Sequence, residues 1–371
     1  MRGWLTKLAG RSRRRFAAWQ IELTTRCPLD CRMCIRQGRE WRNADMRLED
    51  FARLAPLLRD VETVVLQGWG EPLLRRDLVE VVRLAKRAGG ERAPGEAPAV
   101  GFVTSGQGLD RRRAEALVDA GLDFIGFSLA GATPEVHGAI RVRSDLDEVV
   151  EAAQALAAAK RERGLDRPRV HAVCLMVKDN VHQLPQLPEV ARRMGAVELV
   201  LTNLVDVSDA WQDGQRVFAE NGEEAHRQAL EETERRARQA GLAFRRPSLS
   251  PRVTAVCEEN PLRNLYLTVE GDAVPCVYLC PPVPEQFPRW FCGAEHQASR
   301  VRFGNLLREP LDAVWASPAY AAFRDRFDRR LRRHRLLSSV GRAWRAGAAV
   351  AEADLPAPPE PCRICHKMLG V

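Results

Sequence analysis

Short apolar segments alternate with amphipathic ones from residue 20 to about residue 205. The apolar segments are short and rich in β-branched residues, which predicts β-strands, and the amphipathic segments predict helices. Strands are predicted at 20–24, 63–67, 100–104, 124–129, 169–177 and 197–202. Helices are predicted at 47–59, 76–88, 110–120, 145–163 and 185–194.

This alternation indicates an α/β fold. Several of the predicted strands are apolar without a break, as expected when both faces of a sheet are covered. Repeated strand–helix units predict a parallel sheet with right-handed crossovers. The pattern alone leaves both a full and a partial barrel open.

The chain changes character after the sixth strand. A charged helix is predicted at about 222–240, ending at Gly241, and a linker follows it. The segment 264–276 predicts a β-hairpin that turns at Glu270-Gly271-Asp272. We therefore divide the chain into a basic N-terminal arm, a core domain and a smaller C-terminal α/β domain, at residues 1–16, 17–245 and 246–371. Residues 89–98 are predicted to form a loop, and residues 346–361 a flexible connection.

Composition and charge narrow the class of protein. The chain has 371 residues, of which 45% are hydrophobic and 29% charged, and its net charge is +8. No apolar run approaches the roughly 20 residues that cross a bilayer, so no membrane association is expected. The N-terminus lacks a secretory signal. We expect a cytoplasmic protein whose cysteines bind metal or act in catalysis rather than form disulfides.

The positive charge lies mainly in two runs. Residues 1–15 contain six basic side chains and no acid, and nine arginines lie between Arg324 and Arg345 against Asp325 and Asp328. Such runs are most often solvated tails or helix faces. Nucleic acid is therefore not an expected partner.

Three cysteines follow the first predicted strand within eight residues. The sequence "CPLDCRMC" places them at Cys27, Cys31 and Cys34. Three thiolates can bind three irons of a [4Fe–4S] cluster and leave the fourth iron open to another ligand. Two alternatives remain at this point: a zinc site completed by a distant residue, and cysteines without a ligand.

The C-x3-C-x2-C spacing after a first β-strand resembles that of the radical S-adenosylmethionine (radical SAM) family. The resemblance implies a partial (β/α)6 barrel whose [4Fe–4S] cluster is held by three cysteines and by SAM itself. In that family the reduced cluster cleaves SAM to methionine and a 5′-deoxyadenosyl radical, which abstracts a hydrogen atom from the substrate. Met33, which precedes the last cysteine, is implied to lie near the adenine.

A second motif follows the second predicted strand. "LQGWGEPLL" (66–74) resembles the GGEP motif of the family, with Trp69 interposed. Glycines there let the backbone approach a ligand closely. The resemblance implies that Glu71 accepts hydrogen bonds from the SAM ammonium, and that the motif is formed by Gly68, Gly70, Glu71 and Pro72.

Two further stretches resemble cofactor-binding segments of the family. "VTSG" (103–106) has Ser105 where the family often has asparagine. "FSLAGATPEVHGAIR" (127–141) places Ser128 as a ribose contact and Arg141 as a charged donor to the SAM carboxylate. The structural alternatives are a strand-end cap for Ser128 and a surface charge for Arg141.

Several other polar residues have structural interpretations. His137 and His171 lack metal-ligand spacing to a partner, and Cys174 is predicted to be a buried small hydrophobe. No side chain is assigned as a catalytic acid or base. The carboxylates available in the predicted barrel are Glu22, Glu198 and Asp206.

The C-terminal domain carries six more cysteines. Their arrangement, with the segment 303–324, resembles the SPASM/twitch extension of radical SAM enzymes, and the full SPASM pattern has further cysteines after its C-x2-C pair. The resemblance implies one auxiliary [4Fe–4S] cluster held by Cys257, Cys276, Cys362 and Cys365. Cys280 and Cys292 are unassigned, and tetrahedral zinc remains an alternative at this second site.

These resemblances imply an enzyme that matures or modifies a peptide or protein. The alternative within the family is dehydrogenation or maturation of a small molecule or cofactor. A reductant such as flavodoxin or ferredoxin is implied as a partner. The alternative from another class is a non-catalytic metal-binding protein associated with nucleic acid.

Overall fold

The computed structural model describes residues 14–88, 97–219, 223–343 and 350–371. One nine-stranded sheet organises these residues, with the strand order β7-β6-β5-β4-β3-β2-β1-β8-β9. All neighbouring pairs are parallel except β8 and β9. Its strands are β1 (Phe16–Ile21), β2 (Val61–Val65), β3 (Ala99–Thr104), β4 (Phe124–Leu129), β5 (Arg169–Met176), β6 (Glu198–Asn203), β7 (Ala243–Arg245), β8 (Asn264–Leu267) and β9 (Ala273–Val274). Because β7 and β9 are edges, the barrel is partial, as predicted.

Helices connect the strands and complete the C-terminal part. Those of the barrel are α1 (Leu48–Leu54), α2 (Leu78–Arg87), α3 (Arg111–Asp119), α4 (Pro134–Ile140), α5 (Leu146–Glu162), α6 (Leu187–Arg193), α7 (Ala210–Gly214) and α8 (Glu224–Gln239). The C-terminal helices are α9 (Leu311–Ala316) and α10 (Pro318–Ala343). Among the described residues, no helix is both long enough and apolar enough to span a membrane.

The predicted elements are confirmed, with shifted ends. The first strand begins at Phe16, because the buried run continues towards the N-terminus from the predicted start at residue 20. The helix predicted at 47–59 breaks after Leu54 into a 3₁₀ turn over Ala55–Asp60. Pro56 has no backbone N–H to continue the α-helical ladder, which explains the break.

The predicted hairpin at 264–276 is confirmed and has a second role. Its strands β8 and β9 pair antiparallel around Gly271, whose φ of +82° suits glycine. β8 also pairs in parallel with β1, with Ala18 opposite Asn264 and Ile21 opposite Leu267. The sheet therefore runs without interruption from the predicted core domain into the C-terminal part. One cluster of buried apolar side chains also includes residues from both regions.

A second hairpin lies in the C-terminal part and is absent from the sequence-based prediction. It consists of β10 (Gln286–Phe291) and β11 (Ala294–Ser299), joined by Cys292 and Gly293. The backbone N–H of Trp290 donates to the Val207 carbonyl at 3.0 Å, beyond the end of β6. The hairpin therefore lies against the mouth of the barrel.

Parts of three predicted segments lie outside the described residues. These are most of the basic arm (1–13), most of the loop at 89–98, and the first residues of the connection at 346–361. Within the second basic run, Arg330 is fully buried, and the Arg324 guanidinium stacks over Trp315, 3.8 Å from the ring centroid. Two of its arginines therefore serve the fold rather than a solvated face.

Candidate active site

The three-cysteine loop leaves the carboxyl end of β1 and packs against neighbouring loops. The backbone N–H groups of Asp30 and Arg32 donate to the carbonyls of Val142, just beyond α4, and Ile140, its last residue, at 3.1 and 2.9 Å. Arginine and glutamine side chains hold the loop's own carbonyls: Arg36 Nη1 donates to Cys27 O and Leu29 O, and Gln212 Nε2 donates to Arg32 O and Cys34 O. The loop is thus held in shape by the protein itself.

The thiols of this loop lie in an apolar setting. Cys31 is 9% exposed and belongs to a small cluster of buried apolar side chains, against which Cys27 and Cys34 also pack. Burial raises the pKa of Cys27 to about 11 and that of Cys34 to about 12, while the Arg36 guanidinium opposes both shifts. Binding of a metal cluster here must therefore release protons from the thiols. Met33, at 8% exposure, belongs to the same buried cluster.

The glycines of the second motif let two loops lie in contact. A Cβ on Gly70 would stand 2.3 Å from the Thr24 carbonyl oxygen and 2.6 Å from that of Arg26. A Cβ on Gly68 would stand 2.3 Å from Glu22 Oε1. Both glycines are therefore needed for close approach to the loop that leads into Cys27. This contact between two loops of the chain is additional to the close approach of backbone and ligand that the motif predicts.

The carboxylate of Glu71 ties the end of β2 to the end of β3. It accepts hydrogen bonds from the Thr104 hydroxyl at 2.5 Å, the Ser105 N–H at 2.7 Å and the Leu73 N–H at 3.0 Å. Glu71 is 5% exposed, and its charge adds to the rise in the pKa of Cys27. The structure thus brings Glu71 beside the three-cysteine loop, with Pro72 opening the 3₁₀ turn that follows it.

Unsatisfied polar atoms surround the same region. Ser105 is 1% exposed, and its Oγ has no hydrogen-bond partner among the described residues. The buried Nε of Arg141, which follows α4, likewise has none within the described ranges. Ser128 is half-buried, one residue before the end of β4. Since buried polar groups are normally hydrogen-bonded, a ligand can satisfy both groups. Arg141 Nε–H offers a donor, and the Ser105 hydroxyl can donate and accept.

The four thiols predicted to hold the auxiliary cluster come together. Burial raises the pKa of Cys276 well above its ordinary value, and the charges of Glu259, Cys257, Cys362 and Cys365 add to the rise. Cys257 and Cys365 act on the pKa of Cys362 in the same direction. Cys257 precedes β8, Cys276 follows β9, and the other two lie near the end of the chain. The fold therefore gathers four thiols from three distant segments.

The two unassigned cysteines make contacts of their own. Cys280 is 1% exposed, and its Sγ accepts a hydrogen bond from Arg300 Nε at 3.3 Å. Cys292 lies in the turn of the second hairpin, where its N–H faces His366 Nε2 at 3.4 Å. Neither is among the main causes of the raised pKa values of the four gathered thiols.

One residue near the four thiols was not found from the sequence. Arg289 of β10 is 3% exposed, and its charge interacts with those of Cys276, Cys362 and Cys365. Its Nε lies 3.5 Å from Oδ1 of Asp206, beyond the end of β6. The sequence does contain a signal for this hairpin that the prediction missed. It is the alternation of Phe287, Arg289 and Phe291, followed by Cys-Gly.

Aromatic side chains from the barrel and from the C-terminal part contact each other. The ring centroids of Trp69 and Tyr278 lie 6.1 Å apart, and those of Trp69 and Trp41 lie 6.4 Å apart, both edge-to-face. Trp69 is the residue interposed in the second motif, and Tyr278 lies two residues after Cys276. An aromatic contact therefore connects the second motif with the segment that follows Cys276.

Glu22 is a buried carboxyl group at the end of β1. It is 1% exposed and accepts the Trp69 N–H at 2.8 Å. Burial raises its pKa to about 7, although the Trp69 hydrogen bond opposes the shift. The other two carboxylates are engaged in ion pairs: Glu198 pairs with Arg245 Nη2 at 2.6 Å, and Asp206 faces Arg289. Glu198 also lies 2.9 Å from His171 Nδ1.

His137 and Cys174 are structural, as predicted. His137 is fully buried, and its Nε2 lies 2.9 Å from Ser144 Oγ. Cys174 is fully buried on β5. Neither residue is available as a ligand in this arrangement.

The donor sets fit iron–sulfur clusters better than a single ion. Within the described part of the chain, no three His, Cys, Asp or Glu side chains are gathered closely enough to hold one metal ion. The thiolates of a cubane cluster bind different irons and so lie further apart than the ligands of one ion. Buried thiols, with unsatisfied Ser105 and Arg141 beside the first set, suit a cluster and a polar cofactor.

Two family models match the chain, and the second includes Cys257 and Cys276 but ends before Cys362 and Cys365. A model described as the radical SAM superfamily matches residues 21–187, which include the three-cysteine loop. A model described as an iron–sulfur cluster-binding domain, SPASM, matches residues 257–336. The two matches correspond to the barrel and to the C-terminal part of the structure.

Two curated relatives align over most of the chain. A tungsten-containing aldehyde ferredoxin oxidoreductase cofactor-modifying protein from Pyrococcus furiosus is 24% identical, covering 82% of this chain and 82% of that protein. A PqqA peptide cyclase from Streptomyces rochei is 27% identical, covering 83% and 78%. Among solved structures, Streptococcus suis SuiB bound to S-adenosylmethionine superposes with a TM-score of 0.62 at 17% identity, covering 83% of this chain and 67% of SuiB. The SuiB match shows a shared fold.

Proposed function

Because this chain belongs to the radical SAM superfamily and carries a SPASM iron–sulfur domain, we propose that it abstracts a hydrogen atom from a peptide or protein substrate. When bound, the cluster supplies the electron that converts SAM to methionine and a 5′-deoxyadenosyl radical. The observation that carries the proposal is the position of Cys27, Cys31 and Cys34 in one apolar pocket beside Glu71. A non-catalytic metal-binding protein is set aside, since the family is one of enzymes.

The residues around this pocket have proposed roles in holding the cofactors. The three thiolates bind three irons, and Arg36 and Gln212 keep the loop in shape through its carbonyls. Arg141 pairs with the SAM carboxylate, because a buried guanidinium N–H without a partner favours an anionic ligand. The remaining proposed SAM contacts are Met33, Gly68, Gly70, Glu71, Pro72, Ser105 and Ser128.

Cys257, Cys276, Cys362 and Cys365 are the proposed ligands of the auxiliary cluster. The mutual effect of their charges supports this set over one that includes Cys280. Four thiolates leave no iron open for a substrate, so the proposed role of this cluster is electron transfer.

A peptide or protein substrate is supported by one relative and by one surface. The Streptomyces rochei relative is a peptide cyclase. On α10, exposed arginines outnumber acids even after Arg329 and Arg332 pair with Asp325 and Asp328. Such a surface suits an acidic peptide segment. The second candidate substrate is a small-molecule cofactor, which is favoured by the Pyrococcus furiosus relative, a cofactor-modifying protein.

The test is 5′-deoxyadenosine formation after anaerobic reconstitution, with SAM and dithionite or a flavodoxin as reductant. The control is the triple variant Cys27→Ala, Cys31→Ala, Cys34→Ala. We expect the nucleoside from the natural chain only. Equal formation by both would refute the assignment of the first site.

The substrate is tested with synthetic copies of the peptides that are encoded next to the gene of this protein. Their products are analysed by mass spectrometry. A peptide that loses hydrogen and raises nucleoside formation supports the first candidate. Turnover raised by a small cofactor and by none of the peptides would favour the second.

A further inference from the structure

Arg289 is a buried cation with spare hydrogen-bonding capacity. Its Nη2 donates to the Tyr278 carbonyl, and its Nε lies 3.5 Å from Asp206 Oδ1, too far for a good hydrogen bond. Its Nη1 has no hydrogen-bond partner among the described residues. Because a buried charge is costly unless it is paired and hydrogen-bonded, this arrangement requires a further anionic partner.

The nearest carboxylate does not meet that requirement alone. Asp206 is shared by Arg289 and Arg39, whose guanidinium charges both act on it. Burial raises the pKa of Asp206, and the two arginines oppose this shift. Two guanidinium groups therefore share the Asp206 carboxylate. The other two nearby carboxylates, Asp209 and Glu295, act on Arg39.

The same guanidinium lies close to the gathered thiols, since its Nη2 donates to the carbonyl of Tyr278, two residues after Cys276. The charge of Arg289 interacts with those of Cys365, Cys276 and Cys362. A [4Fe–4S] cluster held by four thiolates carries net negative charge, and its sulfur atoms accept hydrogen bonds. Such a cluster would balance the positive charge of Arg289. Its sulfur atoms would accept hydrogen bonds from the N–H groups that have no acceptor among the described residues.

We propose that Arg289 is the charged partner of the auxiliary cluster, donating from Nη1 and Nε to its sulfur atoms and so raising its reduction potential. The inference rests on the auxiliary cluster proposed above. A positive charge and donated hydrogen bonds favour the more negative, reduced form of the cluster. Arg289 is thus a positioning residue that makes the cluster a better electron acceptor.

The matching role of Asp206 follows from its sign. It lies after β6, in the barrel, and neutralises part of the Arg289 charge. Its carboxylate should lower the potential that Arg289 raises. The two residues would therefore shift the cluster in opposite directions, which a merely structural role does not predict.

The experiment uses the full chain with Cys27→Ala, Cys31→Ala and Cys34→Ala, so that only the auxiliary cluster remains. Iron content is measured first, and the midpoint potential is then followed by EPR. Arg289→Gln is expected to lower the equilibrium constant for one-electron reduction about tenfold, which is 59 mV. Arg289→Lys should recover much of this loss, and Asp206→Asn should raise the potential.

The matched control is Arg300→Gln, which removes a guanidinium that contacts Cys280 rather than the four thiols. It should leave the midpoint potential unchanged. An unchanged potential in Arg289→Gln at full iron content, or equal shifts in Arg289→Gln and Arg300→Gln, would overturn the inference. Absence of iron in the triple variant would instead overturn the proposed auxiliary cluster, and the inference with it. Loss of iron in Arg289→Gln but not in Arg289→Lys supports the need for a positive charge.

Discussion

The two thiol sites of this protein are built in different ways. The first takes its three cysteines from one loop, and main-chain hydrogen bonds to Val142 and Ile140 dock that loop against its neighbours. The second takes its four thiols from three distant segments, and a buried arginine from a fourth segment faces them. The first is a local motif placed on a sheet. The second exists only once the tertiary structure has formed.

This difference determines how each site responds to change. The first depends on close backbone contacts, such as that of Gly70 with the Thr24 carbonyl. The second depends on side chains that hold the C-terminal segment in place, such as Arg330. Substitutions at Gly70 and Arg330 test whether the two sites can be disturbed separately, and substitutions at Glu22 and Ser105 test individual side chains.

The largest effect is expected from Gly70→Ala. The added Cβ would overlap two backbone oxygens, at 2.3 and 2.6 Å, and a rotamer change cannot relieve this. Overpacking of this kind costs about 3 kcal/mol or more when the backbone must move. Iron bound to the first site and SAM cleavage should both be lost, while auxiliary iron remains. Iron analysis and nucleoside assays check this result.

The control for this substitution is Gly214→Ala, because a Cβ there meets no atom within 4 Å. It should change the stability by no more than about 0.5 kcal/mol. Retention of SAM cleavage in Gly70→Ala would show that the contact between the two loops is not required.

A pH effect is expected from Glu22. The native pKa of about 7 lies above the ordinary 4.5, so the native state holds a proton between these values that the unfolded state has released. The free energy of unfolding should therefore fall as the pH rises from about 4.5 to about 7, by about 3 kcal/mol from this group. Urea unfolding of the natural chain and of Glu22→Gln at several pH values in this range measures the change in the free energy of unfolding.

Glu22→Gln should remove this slope, because the amide still accepts the Trp69 N–H and does not titrate in this range. The exposed Glu49→Gln serves as the control and should leave the slope in place. An identical slope in all three proteins would exclude Glu22 as its source.

Arg330→Ala should disturb the second site alone. Arg330 is fully buried and donates to the carbonyls of Thr254 and Ala255 and to the Glu352 carboxylate. Loss of these hydrogen bonds should lower the free energy of unfolding by about 2 kcal/mol and loosen the segment that carries Cys362. Auxiliary iron should fall, while nucleoside formation by the first site is retained.

The comparison for Arg330 is Arg329→Ala, since Arg329 is exposed and pairs with Asp325 one turn away. An exposed pair of this kind is worth about 0.5 kcal/mol. Equal iron loss in both variants would contradict the role given to the buried arginine.

The smallest effect is expected from Ser105→Ala. The Ser105 Oγ is buried without a partner among the described residues, so its removal should leave the stability of the ligand-free protein unchanged or slightly higher. If it contacts SAM, the Kd for SAM should rise about fivefold, which is about 1 kcal/mol. Isothermal titration of the reconstituted protein measures this change.

Ser317→Ala is the matched control, because its Oγ is also buried without a partner in the described chain but lies between α9 and α10. It should leave SAM binding unchanged. Equal effects of the two substitutions would remove Ser105 from the cofactor site.

The sequence predicts the first site well because its information is local. The spacing of Cys27, Cys31 and Cys34, and the position of Glu71 after the second strand, depend only on neighbouring residues. The buried state of Glu71 and its bonds to Ser105 follow from parallel strand ends meeting at one edge. The same reasoning does not reach Gly70, whose contact with Thr24 depends on the packing of two loops.

The second site shows where sequence reasoning stops. Its four cysteines were selected by resemblance, but their surroundings come from β10, a strand that was not predicted. Arg289 looks like one more arginine in a basic chain. Only its burial and its distance to Asp206 distinguish it from the exposed arginines of α10. Burial of a charge is a tertiary property that no local pattern encodes.

The pairing of β8 with β1 has a consequence for how the protein is made. The edge of β1 is covered only by Asn264–Leu267, which leave the ribosome long after β1 itself. Until then a nascent chain presents an open strand edge next to the loop that carries Cys27, and such edges invite wrong pairing. Cluster insertion and chaperone release should therefore come late in synthesis. A fragment that ends at residue 245 should aggregate rather than fold as a smaller enzyme.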